Sequence, residues 1–120
     1  MKTESQIEPA PGVVHVSKLA IIATIEIPFG RRDEFLTSLM AHKARCLKDE
    51  AGTLEFEVLA PHQDDTKVLS YELYQSDAAF DVHRNGPSLA QWREETSGMI
   101  VKFSVTKCTP VESGASVTHV

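Results

Sequence analysis

Cysteine is scarce in this chain: Cys46 and Cys108 are the only two, and they make neither a metal-binding nor a redox spacing. That excludes a disulfide framework and a paired-cysteine metal site, and both read as packed thiols of a reducing compartment. Basic residues are in deficit too. Twelve Lys and Arg stand against seventeen Asp and Glu, a net charge of −5. Beyond the pair Arg31-Arg32 there is no basic cluster, so no nucleic-acid partner is expected, because phosphate neutralisation needs clustered cations. The longest apolar run, Leu19-Ala-Ile-Ile-Ala23, is far too short to span a bilayer. The first residues, Met1-Lys-Thr-Glu-Ser-Gln, lack the layout of a secretory signal. The expectation is a cytoplasmic protein with no membrane partner. Also missing are the Gly-x-Ser-x-Gly elbow, the Walker loop, the dinucleotide fingerprint and the His-Glu-x-x-His motif. Neither a cofactor nor a metal is expected.

What is present is an ordinary globular composition, 42% hydrophobic and 24% charged over 120 residues, enough for one domain with a modest core. Residues 1–17 read as a loose arm punctuated by Pro9, Pro11 and Gly12, and 110–120 as a polar tail. Between them lies the domain, 18–109. Period-two alternation predicts strands over 18–27, 53–60, 68–74 and 100–108. In the second of these, Leu54, Phe56 and Val58 share a face; in the third, Leu69, Tyr71 and Leu73 oppose Ser70, Glu72 and Tyr74. Phe35, Leu36, Leu39, Met40, Cys46 and Leu47 recur at helical spacing over 31–50, with Gly52 as the stop signal. Ser76 is a natural N-cap for a short helix over 77–84, and Gly86-Pro87 breaks it before a second short helix over 88–96.

The order is β-α-β-β-α-β. It predicts an α+β, ferredoxin-like fold, an antiparallel sheet with helices on one face. The first strand is apolar on both faces at its start, so the uncovered sheet face needs a partner. The same face of a second subunit is the simplest cover, which predicts a homodimer.

Within this frame, His83 stands out. Ala79 and Phe80 share its helix stripe, which should face the sheet, and a histidine there can move a proton near neutral pH. It can equally be a packing residue. Glu72 and Tyr74 share one face of the third strand and Tyr71 takes the other. A buried carboxylate needs a partner, expected as Arg or Lys if not solvent, and a buried phenol needs one too. Trp92 can line a pocket or fill the core. His42 lies beside the apolar stripe of the first helix, where it can border a pocket. His62, in a polar hairpin, and His15 and His119, in the termini, are poorer candidates.

Three segments carry a family resemblance: Gly52-Thr-Leu-Glu-Phe-Glu-Val58, then Tyr71-Glu-Leu-Tyr74 followed by Ala79-Phe80 and His83, then Pro87 through Trp92. Together they resemble the antibiotic biosynthesis monooxygenase domain family, over 18–108. The resemblance implies a dimeric α+β barrel with a pocket between sheet and helices in each subunit. It also implies a phenolic or quinol small molecule oxidised by molecular oxygen with no metal or flavin. His83 and Trp92 would approach that pocket, with Tyr71, Glu72 or Tyr74 nearby. Which strand face lines it stays open. One neighbouring branch isomerises a phosphorylated sugar and another degrades haem. The haem branch would call for tryptophan at the third strand's end, where this chain has Tyr74.

Three functions follow as expectations. The first is a cofactor-independent monooxygenase in which His83, Tyr74 and Glu72 carry the chemistry and Tyr71, Phe80, Trp92 and His42 bind substrate. The second is a proton-transfer isomerase of a small, phosphorylated or plain carbonyl compound, using the same base, with Arg84 and Arg93 available for a phosphate. The third is a non-enzymatic dimeric ligand-binding module.

Overall fold

The computed structural model describes residues 17–111. The expected arm and tail lie almost entirely outside them. The elements are β1 (Leu19–Glu26), α1 (Arg32–Asp49), β2 (Thr53–Leu59), β3 (Lys67–Tyr74), α2 (Asp77–Arg84), α3 (Pro87–Glu95) and β4 (Lys102–Cys108). The strands make one sheet in the order β2-β3-β1-β4, every neighbour antiparallel. This is the ferredoxin-like α+β arrangement, with the last helix of the pattern split into α2 and α3.

The split has a local cause. Asn85 and Gly86 leave the helical region, and Pro87 opens α3 at a position where its missing N–H costs nothing. Ser76 caps α2 as expected, its Oγ accepting from the Ala79 N–H at 3.1 Å.

The inner sheet face is set by β1, where Leu19, Ile21, Ala23 and Ile25 alternate and are all buried. Against them α1 presents Phe35, Leu39, His42 and Cys46, a stripe spaced four, three and four residues apart. Met40 and Leu47, expected on that stripe, are 46% and 42% exposed. The helix contacts the sheet along a narrow line, and His42 takes the central position instead. The core continues through Phe56, Val68, Trp92 and Met99. Each large side chain buried there contributes about 1.5–3 kcal/mol.

Two further details depart from the sequence reading and both shape the site. Gly52 does not adopt a left-handed conformation. Its role is close approach: a Cβ there would lie 2.4 Å from Ala79 Cβ, so only glycine lets the start of β2 touch α2. In β2 a bulge at Leu54 breaks the alternation, since Thr53 pairs with Tyr74 and Glu55 with Leu73. Leu54 is thereby left exposed, and Thr53 is buried with Phe56 on the inner side.

Among the described residues β4 pairs only with β1, and its register puts Phe103, Val105 and Lys107 opposite Ile25, Ala23 and Ile21, on the inner face. No helix among the described residues covers Phe103 and Val105, which are 51% and 44% exposed. Among the described residues no helix is long and apolar enough to cross a membrane.

Candidate active site

A cavity of about 450 Å³ lies between the inner sheet face and the three helices, within the range of small-molecule pockets. Its floor is Ile21, Ala23 and Ile25 of β1 with Ser70 and Glu72 of β3; its walls include Leu39, His42, Phe56, Phe80, His83 and Trp92. β4 borders the open side through Phe103, Val105 and Lys107.

Glu72 is the buried carboxylate, and its partners are neither Arg nor Lys. Three alternate residues of β3 point the same way: Tyr74 Oη donates to Glu72 Oε1 at 2.5 Å and Ser70 Oγ donates to Oε2 at 2.7 Å. Burial first, and then the adjacent Glu72, push the Tyr74 phenol well above its ordinary value. Tyr74 therefore stays a donor.

His83 sits between two carboxylates. Its Nδ1 is 2.9 Å from Glu50 Oε1, which also accepts from Thr53 Oγ1 at 2.7 Å. An acceptor at Nδ1 places the proton there and leaves the lone pair on Nε2. Nε2 lies 3.9 Å from Glu72 Oε1. The imidazole is 4% exposed and packed among Tyr74, Phe80 and His42, with ring centroids 5.2, 6.2 and 5.4 Å away. An imidazole oriented at one nitrogen by a carboxylate, with its other nitrogen free, is the arrangement of a general base. Glu72 beside Nε2 would stabilise the imidazolium formed when that base takes a proton.

His42 lies behind this pair. It stacks on Trp92 at 5.4 Å and 19°, and its Nδ1 meets Ser88 Oγ at 2.9 Å. Arg45 Nε donates to the same oxygen at 2.9 Å. Burial, then His83 and Arg45, lower His42 to about 4, so it is neutral at pH 7. Cys46, one turn further along α1, has its thiol pushed up to about 12 by burial and by Glu50. That protonated thiol is no nucleophile. His42, Cys46 and His83 bring two nitrogens and a sulfur within 4.8 Å of one another, a set that could hold a soft or borderline cation. The S···N distances are 3.6 Å to His42 and 3.6 Å to His83 Nδ1.

The structure thus gathers His83, Glu72, Phe80, Trp92 and His42 around one cavity; Tyr74 is fully buried behind Glu72 and does not line it. Tyr71 is elsewhere. It stands on the outer face, opposite Ile22 and Glu57, and does not line the cavity. Glu50 was missed by sequence reasoning, which read it only as the end of α1. Its one hint is its place three residues before Thr53. Trp92 carries a second surprise: its Nε1 is buried without a hydrogen-bond partner among the described residues.

The sequence pattern of the antibiotic biosynthesis monooxygenase family matches residues 19–95, from β1 through α3. The chain belongs to that family. A monooxygenase-type function goes with the membership. A curated relative, the mycobilin-producing heme oxygenase of Mycobacterium tuberculosis, is 33% identical over 96 residues, 80% of this chain and 80% of that one. Among solved structures, a family protein from Bacteroides thetaiotaomicron superposes with a TM-score of 0.75 at 22% identity, covering 85% of this chain and 97% of that one. Another from Caulobacter crescentus gives 0.76 at 16% identity, covering 81% and 92%. At those identities the two structures bear on the fold alone.

Proposed function

We propose that this family member oxidises a phenolic or quinol-type small molecule with molecular oxygen, using its own side chains rather than a bound cofactor. The observation that carries the reading is His83, held by Glu50 at Nδ1 with Nε2 free beside Glu72. Nε2 takes the phenolic proton. The electron-rich phenolate then reduces oxygen directly, a carbon–oxygen bond forms, and the resulting hydroperoxide loses water. One oxygen atom enters the product as a carbonyl and the other leaves as water, all four electrons coming from the substrate. Tyr74 is committed to Glu72, so its part is to hold that carboxylate; Trp92 Nε1 is the donor left over for a developing oxyanion. Trp92 and Phe80 pack the flat ring.

The chain works as a homodimer in this reading. Apolar residues stand uncovered on the outer sheet face at Ile22 and Leu59, 37% and 50% exposed, and at the open β4 edge. Light scattering on the purified protein checks this: a monomer at micromolar concentration would remove it.

The relative's name raises haem as a substrate. The residues fit it poorly. A porphyrin over Nε2 of His83 would have to displace Glu72 and its two hydroxyl donors. A hemin titration settles the point, because a tight, saturable Soret shift would move the proposal to haem. For the phenol reading the test is oxygen uptake on hydroquinones and polycyclic phenols, with an anaerobic control. Conversion that persists without oxygen would instead mark a proton-transfer isomerase built on the same base. Binding without conversion would mark a ligand-binding module.

A further inference from the structure

The cavity is chemically two-ended. Its inner end holds Glu72 and His83 among Ile21, Ala23 and Ile25. Its rim carries three exposed cations, Arg84 on α2, Arg93 on α3 and Lys107 on β4. Among the described residues Glu72 is the only acid lining the cavity, and it is occupied by Tyr74 and Ser70. In a chain of net charge −5 this rim runs against the overall sign. Two of the cations also converge. Lys107 Nζ lies 5.4 Å and the Arg84 guanidinium 5.8 Å from the centroid of the same ring, Phe80. Arg84 has an exposed partner in Asp81 at 3.2 Å, a weak pair. Arg93 and Lys107 have none among the described residues. Two cations brought near one ring, from α2 and from β4, make this part of the rim positive, a field that favours an anion there.

Phe80 is also the neighbour of the base, its ring stacked on His83 at 6.2 Å and 20°. The anion position is therefore about one ring away from the reacting end. We propose that the substrate is an aromatic acid: a flat, fused-ring phenol carrying a multi-oxygen anion, carboxylate or phosphate, held at the rim by Arg84 and Lys107 with Arg93 beside them. The phenol end enters toward His83 and the anion stays at the mouth. This rests on the preceding reading for which end reacts, and not for how the ligand binds. Such a rim also steers anionic ligands in and favours them over neutral ones of the same shape.

The test is isothermal titration calorimetry under argon, so that binding is read without turnover. The probes share a ring system: a naphthol, the corresponding hydroxynaphthoate and the corresponding hydroxynaphthyl phosphate. They are run on wild type, on Arg84→Gln/Lys107→Gln, on Arg93→Gln, and on Glu94→Gln as an exposed charge control away from the cavity. The expected result is roughly tenfold tighter binding of at least one anionic probe than of the naphthol. That preference should shrink with salt, vanish in the double variant and survive in Glu94→Gln. The stronger of the two anions identifies the source of the charge. Equal affinities for neutral and anionic probes overturn the proposal, as does a preference that persists in the double variant. A retained preference in His83→Ala, together with no oxygen uptake by wild type, would keep the anion site and discard the oxygenase reading.

Discussion

The two edges of the cavity are built from strands of the same alternating kind, and they end in opposite environments. On β3, Val68, Ser70, Glu72 and Tyr74 face inward and every one is buried; Val68 packs in the cluster of Phe35, Leu39 and Trp92, and Tyr74 against Ala79 and Phe80 of α2. On β4, Phe103 and Val105 face the same way and stay about half exposed, because the helical layer stops short of that edge. Alternation says which residues share a face. It does not say whether anything covers that face. Here the covered edge holds the groups that can do chemistry, in surroundings dry enough to strengthen their interactions. The uncovered edge is left as the entrance, and as a surface for a partner.

The largest effect should come from breaking the covered edge at its reactive point. His83→Ala is expected to lower turnover of a phenolic substrate by about 10²–10⁴-fold, the usual contribution of a positioned base. Glu50→Gln should cost less and shift the pH–rate profile, since it disturbs the tautomer without removing the imidazole. An unchanged rate in His83→Ala would mean that the covered edge is merely structural.

Stability should separate the two edges next. Phe35, fully buried beneath the covered edge, should cost about 3–5 kcal/mol on truncation to alanine. Phe103→Ala, on the open edge, should change the stability of the isolated fold by no more than about 0.5 kcal/mol. Urea midpoints of the two variants give the comparison directly. A large loss for Phe103→Ala that depends on protein concentration would show a second subunit covering that edge.

Acid should sharpen the contrast further. Native His42 resists protonation until about pH 4, while the unfolded chain takes up that proton near 6.5. The unfolded state therefore binds more protons in that window, and stability falls as pH drops from 6.5 to 4, by up to about 3 kcal/mol. The groups around it are His83, Cys46, Arg45 and Ser88, with Glu50 acting in the opposite sense. His42→Gln should flatten this segment of the stability–pH curve; an unchanged slope would place the acid sensitivity elsewhere. Within the covered region the smallest effect expected is for Ser76→Ala, which removes the cap of α2 at a cost of about 1 kcal/mol and loosens the helix carrying His83. Thermal unfolding measures that.

Much of this was legible beforehand. His83 is readable because Ala79, Phe80 and His83 recur at helical spacing after a capping serine. Glu72 and Tyr74 are readable as a pair because they sit two apart on a strand. Tyr71 illustrates the limit: a tyrosine one residue from Glu72 is on the wrong face, and only a knowledge of which face the helices cover could reveal it. Glu50 was illegible for a different reason. It lies 33 residues from His83, and their contact depends on the close approach of Gly52 to Ala79.

The sequence by itself determined the element order, the ferredoxin-like topology, the helix break at Gly86-Pro87 and the face membership within β1, β3 and β4, since these follow from period, capping and turn chemistry over a few residues. The tertiary structure alone decided which sheet face is dry, where the Leu54 bulge turns Thr53 inward, that Tyr74 and Ser70 rather than a basic residue answer Glu72, that Glu50 reaches His83, and that Arg84 and Lys107 both lie near the Phe80 ring. Those are contacts between distant segments. They depend on how closely backbones approach and on what covers what, and no local pattern encodes either.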